Sequence, residues 1–198
     1  MWIFLSSILG VVMKNITLIA TGLAKTVGPC KKCQARLGIC GWAFCALDSQ
    51  ENILVESGGA RQGHCASLEF YPISEGLKAV VQHQPLHITI YCDHLGMIEA
   101  INTKGLQVYA LSKQQQAWRN LLLQHANKIP ITAVHIHDRP EFATLYWECD
   151  TRAYKNMKEL FLQHYPHKTV HEHYSKVPPP KYVPKSRVYP FISTSSGS

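Results

Sequence analysis

Residues 87–95 read His87-Ile-Thr-Ile-Tyr-Cys-Asp93-His94-Leu95. Ile88 and Ile90 recur with the period of two that marks a strand, and the run stops at an acid. His87–Cys92 is therefore expected as a strand with Asp93 at its C-terminal end. Upstream, Ile16–Ala20 reads as a buried strand. Gly28 to Arg36 reads as a loop, and Ile39–Leu47 as a second strand with Trp42 and Phe44 on one face. Asp48-Ser-Gln-Glu-Asn52 is a turn, and Ile53-Leu-Val returns as a third strand, with Gly58-Gly59 and Gly63 marking a break. Leu68, Ile73, Leu77, Val80 and Val81 suit one helix face, and Pro72 places the regular start of that helix near Tyr71. Downstream, Leu95–Asn102 is a short helix and Ser112–Asn127 a longer one with Trp118, Leu121 and Leu122 inward. Ile131–His137 is a fifth strand, and Glu148–Tyr165 closes as an amphipathic helix. The sum is an α/β chain of order β-β-β-α-β-α-α-β-α.

Three acids fall at telling places in that order. Glu69 lies at the start of the first helix in Cys65-Ala-Ser-Leu-Glu69, Asp93 ends the fourth strand, and Asp150 lies in the first turn of the last helix in Glu148-Cys-Asp-Thr-Arg-Ala153. Singly, each reads as an acid at a helix start, which the helix dipole favours. Together they read as a carboxylate cluster assembled from distant sequence. Such a cluster repels itself unless a divalent cation balances it. With two ions, one activates water and the other stabilises the leaving oxygen of a phosphodiester.

At these residues the chain resembles the ribonuclease H family, over roughly Ile16 to Tyr165. The matching stretches are Gly41-Trp-Ala-Phe44 in the second strand, Ala66-Ser-Leu-Glu69 before the first helix, Tyr91-Cys-Asp93-His-Leu95 at the strand end, and Cys149-Asp150-Thr-Arg-Ala153 in the last helix. The resemblance implies a five-stranded mixed sheet with a three-strand antiparallel meander, flanked by helices. It implies cleavage of RNA, usually within an RNA–DNA hybrid, with Glu69, Asp93 and Asp150 as catalytic residues and ligands of Mg2+ or Mn2+. It also implies nucleic acid, hybrid or RNA, as the partner. One departure weighs against activity. The family's first strand ends in an Asp followed by Gly; here the place reads Ala20-Thr21-Gly22-Leu23, so Thr21 replaces the acid. A neutral hydroxyl is a poor Mg2+ ligand and removes a negative charge from a site that must hold about four positive ones. A further departure lies before the final Asp. There Arg139-Pro-Glu-Phe142 and Tyr146 occupy the stretch of the family's flexible-loop His and Asn; Asp138 and Glu141 are candidate replacement acids.

The chain has 198 residues, with 20 Lys and Arg against 13 Asp and Glu, a net +7 that suits anionic partners. Its 46% of apolar residues is enough for a real core and excludes wholesale disorder. The charge is uneven: His164 to Ser198 carries five basic residues against one acid, so no strong basic face belongs to the rest. We expect residues 1–13 to be an apolar extension, 14–166 the α/β domain, and 167–198 a basic, Pro-rich disordered tail. Trp2–Met13, about twelve residues, is shorter than the roughly 20 that span a bilayer. It has the length of a signal-peptide core but no basic residue before it, and we read Met13 as the start. Seven scattered cysteines read as reduced thiols of a cytoplasmic protein. Three weaker constellations are present: Cys30-x2-Cys33 with Cys40 and Cys45 for zinc, His135 and His137 as a metal pair, and His64-Cys65 for nucleophilic catalysis. The zinc set fails because strand alternation points Cys40 and Cys45 to opposite faces, the histidine pair lacks a third ligand, and adjacent residues rarely orient for catalysis.

Two functions remain open from the sequence. One is a metal-dependent endonuclease acting on RNA in RNA–DNA hybrids. The other is a catalytically inactive binding or scaffold module that keeps the fold.

Overall fold

The computed structural model describes residues 15–29, 36–64, 70–103, 120, 124 and 128–168. Five strands form one sheet: β1 (Asn15–Pro29), β2 (Arg36–Leu47), β3 (Ile53–His64), β4 (His87–Cys92) and β5 (Ile131–His135). Its spatial order is β3-β2-β1-β4-β5. The first three strands make an antiparallel meander, and β4 and β5 add in parallel to β1. Among the described residues three helices flank it: α1 (Tyr71–Val81), α2 (Leu95–Asn102) and α3 (Ala143–His164).

Period-two alternation sorts β1 between the two faces. Ile16, Leu18 and Ala20 pack with Ile73, Leu77 and Val80 of α1 and with Ile88 and Ile90 of β4. Ile19 packs on the opposite face with Ala43, Cys45, Tyr91 and the α3 residues Leu145, Cys149 and Ala153. Thr21, two residues beyond Ile19, therefore belongs to the α3 face. Cys45 lies on that face too, while the Cys40 sulfur lies by Pro72 of α1, so the alternation expected for these two thiols holds.

α3 buries Leu145, Cys149, Ala153, Met157 and Phe161, a stripe of four-residue steps along its length. It meets the sheet at Gly41. A Cβ built on Gly41 would lie 1.7 Å from the Ala153 carbonyl oxygen and 2.6 Å from the Met157 amide nitrogen. Two small residues thus let backbone touch backbone, and this contact fixes how high α3 rides over β1 and β2. Asp150 is three residues, under one turn, before it.

Several expected elements match: β4, α1 from Tyr71 and α2 stand where the pattern placed them. Others are longer than expected. β1 runs nine residues past Ala20, through a bulge between Thr26 and Gly28, because β2 continues to pair with it as far as Arg36. Gly28 sits there at φ 153°, which suits a residue without a Cβ. β3 does not break at Gly58-Gly59; both glycines pair with β2, and a Cβ on Gly59 would press on the Trp42 ring at 3.1 Å. The last helix starts at Ala143, so Asp150 is in its second turn rather than its first, and β5 ends at His135 with a 3-10 turn over Ile136–Asp138. The expected helix 112–127, the Cys30–Cys33 loop, the apolar extension and the tail from residue 169 lie outside the described residues. Among the described residues no helix is long and apolar enough to cross a membrane.

Candidate functional site

β1 and β4 run parallel with Ile19 opposite Tyr91. Two residues further along each strand come Thr21 and Asp93, side by side at the carboxyl end of the sheet and on the α3 face. α3 crosses above them and brings Asp150 down from its second turn. The Thr21 hydroxyl donates to Asp150 Oδ1 at 3.2 Å. Tyr146, one helical turn before Asp150, places its phenol oxygen 3.4 Å from Thr21 Oγ1. Tyr146, Thr21 and Asp150 thus form one chain of polar contacts, with the Asp93 charge near the phenol. Glu69, the third acid expected here, lies just before Phe70, outside the described residues.

Local sequence explains the placement. Each acid follows a buried thiol, Cys92 before Asp93 and Cys149 before Asp150, and each thiol anchors its element in the core. Thr21 is only 3% exposed, while Asp93 reaches solvent and Asp150 is half-buried. Burial pushes the Tyr146 phenol above the ordinary tyrosine range, and the nearby Asp93 and Asp150 charges add to that. Tyr146 therefore stays a neutral proton donor at neutral pH.

The candidate replacement acids do not join the cluster. Glu141 forms an ion pair with Arg139. Its own backbone N–H, then Arg139, hold its carboxyl below the usual range. The Arg139 guanidinium donates to the Tyr91 hydroxyl at 3.0 Å and lies over the Phe142 ring. Asp138 is exposed in the turn after β5. His135 and His137 stand with ring centroids 5.0 Å apart, His137 in that same turn. Among the described residues, no group of three His, Cys, Asp or Glu side chains is arranged to hold a metal ion.

A two-metal centre would need its charge met by the residues at hand. Asp93 and Asp150 supply two negative charges, and Glu69 would raise the total to three, against four positive charges from two divalent ions. Thr21 spends its proton on Asp150, and the Tyr146 phenol stands next to Thr21. These residues do not fit a pair of Mg2+ or Mn2+ ions.

The buried thiols make the fold sensitive to alkali. Burial raises Cys92 from 9.0 to about 11 and Cys149 to about 12, and drives Cys45 higher still. Between pH 9 and 11 the unfolded chain releases thiol protons that the folded chain keeps. Stability is then full below pH 9 and falls as pH rises, by up to about 1.4 kcal/mol per pH unit for each thiol. Urea denaturation under reducing conditions at a series of pH values measures this. Cys92→Ala should flatten the slope, and an unchanged midpoint from pH 8.5 to 10.5 would contradict the assignment.

Sequence comparison finds little: no protein-family model and no curated protein matches the chain. Structural comparison finds clear likeness. The N-terminal ribonuclease H domain of Rv2228c from Mycobacterium tuberculosis superposes with TM-score 0.58 at 14% identity, over 76% of this chain and 99% of that one. Ribonuclease H1 from Halobacterium salinarum gives 0.55 at 10% identity, over 73% and 98%. LC11-ribonuclease H1, solved in complex with an RNA/DNA hybrid, gives 0.57 at 12% identity, over 74% and 99%. The chain has the ribonuclease H-like fold, with the five-stranded mixed sheet and flanking helices expected from the order of its elements.

The structure places Thr21, Asp93 and Asp150 towards one end of this sheet, with Thr21 bonded to Asp150. Sequence reasoning did not give Tyr146 a role. The available signal was the spacing: Tyr146 and Asp150 are four apart, so on any helix they share a side.

Proposed function

We propose that this chain is a ribonuclease H-like nucleic-acid-binding module that does not hydrolyse its target. The observation that carries the reading is Thr21. Its side chain is buried in the place of the first-strand acid and donates its proton to Asp150. Loss of a central ligand from a two-metal site removes several kcal/mol of transition-state stabilisation, a rate loss of about 100-fold or more at about 1.36 kcal/mol per factor of ten. The net +7 and the cationic C-terminal stretch support an anionic partner. The fold supports the same class, since LC11-ribonuclease H1 and the foamy viral protease-reverse transcriptase were solved with RNA/DNA hybrids. The buried thiols of Cys40, Cys45, Cys92 and Cys149 are not in disulfides, which supports a reducing compartment such as the cytoplasm.

The test is a labelled RNA–DNA hybrid incubated with the full chain in Mg2+, in Mn2+ and with a chelator. The expected result is a shifted, intact hybrid whose binding does not depend on the ion. Metal-dependent cleavage by the unmodified protein that disappears in Asp93→Asn would establish the nuclease reading instead, with Glu69, Asp93 and Asp150 as its ligands.

A further inference from the structure

We propose that the cleft beside Asp150 reads one unpaired guanine of the bound nucleic acid: Trp147 stacks on the base, and the Asp150 carboxylate accepts from its Watson–Crick edge. This deepens the reading above and rests on it for the class of partner.

The cleft has a volume of about 350 Å³, within the range of small-molecule sites and room enough for a purine. One wall is the segment after β5, with Ile136, His137 and Pro140. The other is the first two turns of α3, with Tyr146, Trp147 and Asp150. Tyr146 and Trp147 stand four and three residues before Asp150, so the three share a side of the helix. That side is not the one that holds α3 to the sheet. The buried stripe runs through Leu145, Cys149 and Ala153. Trp147 lies two residues from both Leu145 and Cys149, about 200° round the helix from each. A tryptophan outside the stripe, half-buried in a cleft wall, suits a planar aromatic ligand. Stacking on such side chains is how proteins hold unpaired bases.

The polar groups choose the base. Thr21 donates to Asp150 Oδ1 at 3.2 Å. Its one proton is then given, so the Tyr146 phenol, 3.4 Å from Thr21 Oγ1, is the donor in that contact. This relay of neutral hydroxyls orients the carboxylate without cancelling its charge, and a carboxylate has about four acceptor positions. Two adjacent N–H donors match it best, as two parallel hydrogen bonds. Among the four RNA bases guanine alone presents such a pair, N1–H and N2–H. Adenine and cytosine set a ring-nitrogen acceptor beside their amino group, and uracil sets its one N–H between two carbonyls. Each of these brings a lone pair against the negative charge, so the site rejects by repulsion as well as selecting by attraction. His137, on the facing wall, has a ring N–H to offer the guanine O6.

The probes are four fluorescein-labelled RNA octamers, all uridine except for a central G, A, C or U. Each is titrated with the full chain at one salt concentration, with a chelator present, and followed by anisotropy. All four carry the same phosphates, so cationic contacts cancel and the differences report the base. The G octamer should bind about 10-fold tighter than the other three, within the discrimination of a good bidentate pair. Trp147→Ala should weaken the G octamer about 10-fold, to the level of the U octamer. Trp147→Phe, which keeps a smaller ring, should weaken it less. Asp150→Asn should move the preference to A, because an amide offers one donor and one acceptor, the match of the adenine edge. Lost packing alone would weaken all four octamers together and move no preference. Equal affinity of the wild type for the four octamers, a preference for another base, or a guanine preference that survives Asp150→Asn overturns the proposal and leaves the binding module standing. Failure of every octamer and of the RNA–DNA hybrid to bind overturns the module reading itself, and this proposal with it.

Discussion

Gly41→Ala should destabilise the domain by about 3 kcal/mol or more, because the added methyl has nowhere to go. The built Cβ falls 1.7 Å from the Ala153 carbonyl oxygen and 2.7 Å from the Met157 Cβ. The first obstacle is helix backbone, so no rotamer change relieves it. Either α3 lifts from β2, opening the cluster around Cys45, Cys149 and Ala153, or β2 bends away from β1. Both routes also move Asp150 away from Thr21, since Asp150 lies within one turn of the contact. For a chain of this size the loss corresponds to a fall in melting temperature of roughly 6–12 °C. Gly96→Ala is the control: Gly96 is exposed on the short helix α2, where alanine is favoured by about 0.8–1.0 kcal/mol over glycine. Its nearest neighbour would be the edge of the His94 ring at 3.3 Å. Near-wild-type stability of Gly41→Ala would show that α3 does not rest on β2 as described.

Truncation after Tyr174 should have the largest effect on binding. The removed segment carries Lys176, Lys181, Lys185 and Arg187 and no acid. If each cation meets one phosphate, the logarithmic salt dependence of binding loses about 0.9 per contact, about 3.6 in all. Over a fourfold rise in salt the full chain should then lose about 100-fold more affinity for an RNA–DNA hybrid than the truncated one. The difference between the two proteins should be greatest at the lowest salt. The melting temperature should be nearly the same for both. Fluorescence anisotropy at several salt concentrations gives the slopes. Parallel slopes would place the cationic contacts elsewhere, and a large fall in melting temperature would show that the segment docks on the domain.

The order of elements was legible because it rests on local signals. Alternating Ile88, Thr89, Ile90 and Tyr91 ending at Asp93 identifies β4, Pro72 fixes the start of α1, and a single order of strands and helices accommodates three placed acids. Lengths were less legible. β3 runs through Gly58 and Gly59 because Trp42 lies close against them, which compensates for the weak strand preference of glycine. β1 continues past Ala20 because β2 supplies a partner along that whole length, and pairing is a property of two strands. α3 begins five residues before Glu148, after the 3-10 turn of Pro140–Phe142, and Leu145 adds another core contact to its stripe.

For the site, the sequence by itself determined that Asp93 follows the fourth strand, that Asp150 lies in the last helix and that a hydroxyl follows Ala20 in the first strand. All three follow from residue type and from the order of elements, which are one-dimensional properties. The tertiary structure alone decided what that hydroxyl does and what shares the space with it. The turn between Tyr146 and Asp150, the register that levels Thr21 with Asp93, and the close contact of Gly41 with Ala153 bring four side chains from three elements together. Hydrogen bonds act over about 3 Å, and sequence separations of 125 and 129 residues carry no distance of their own.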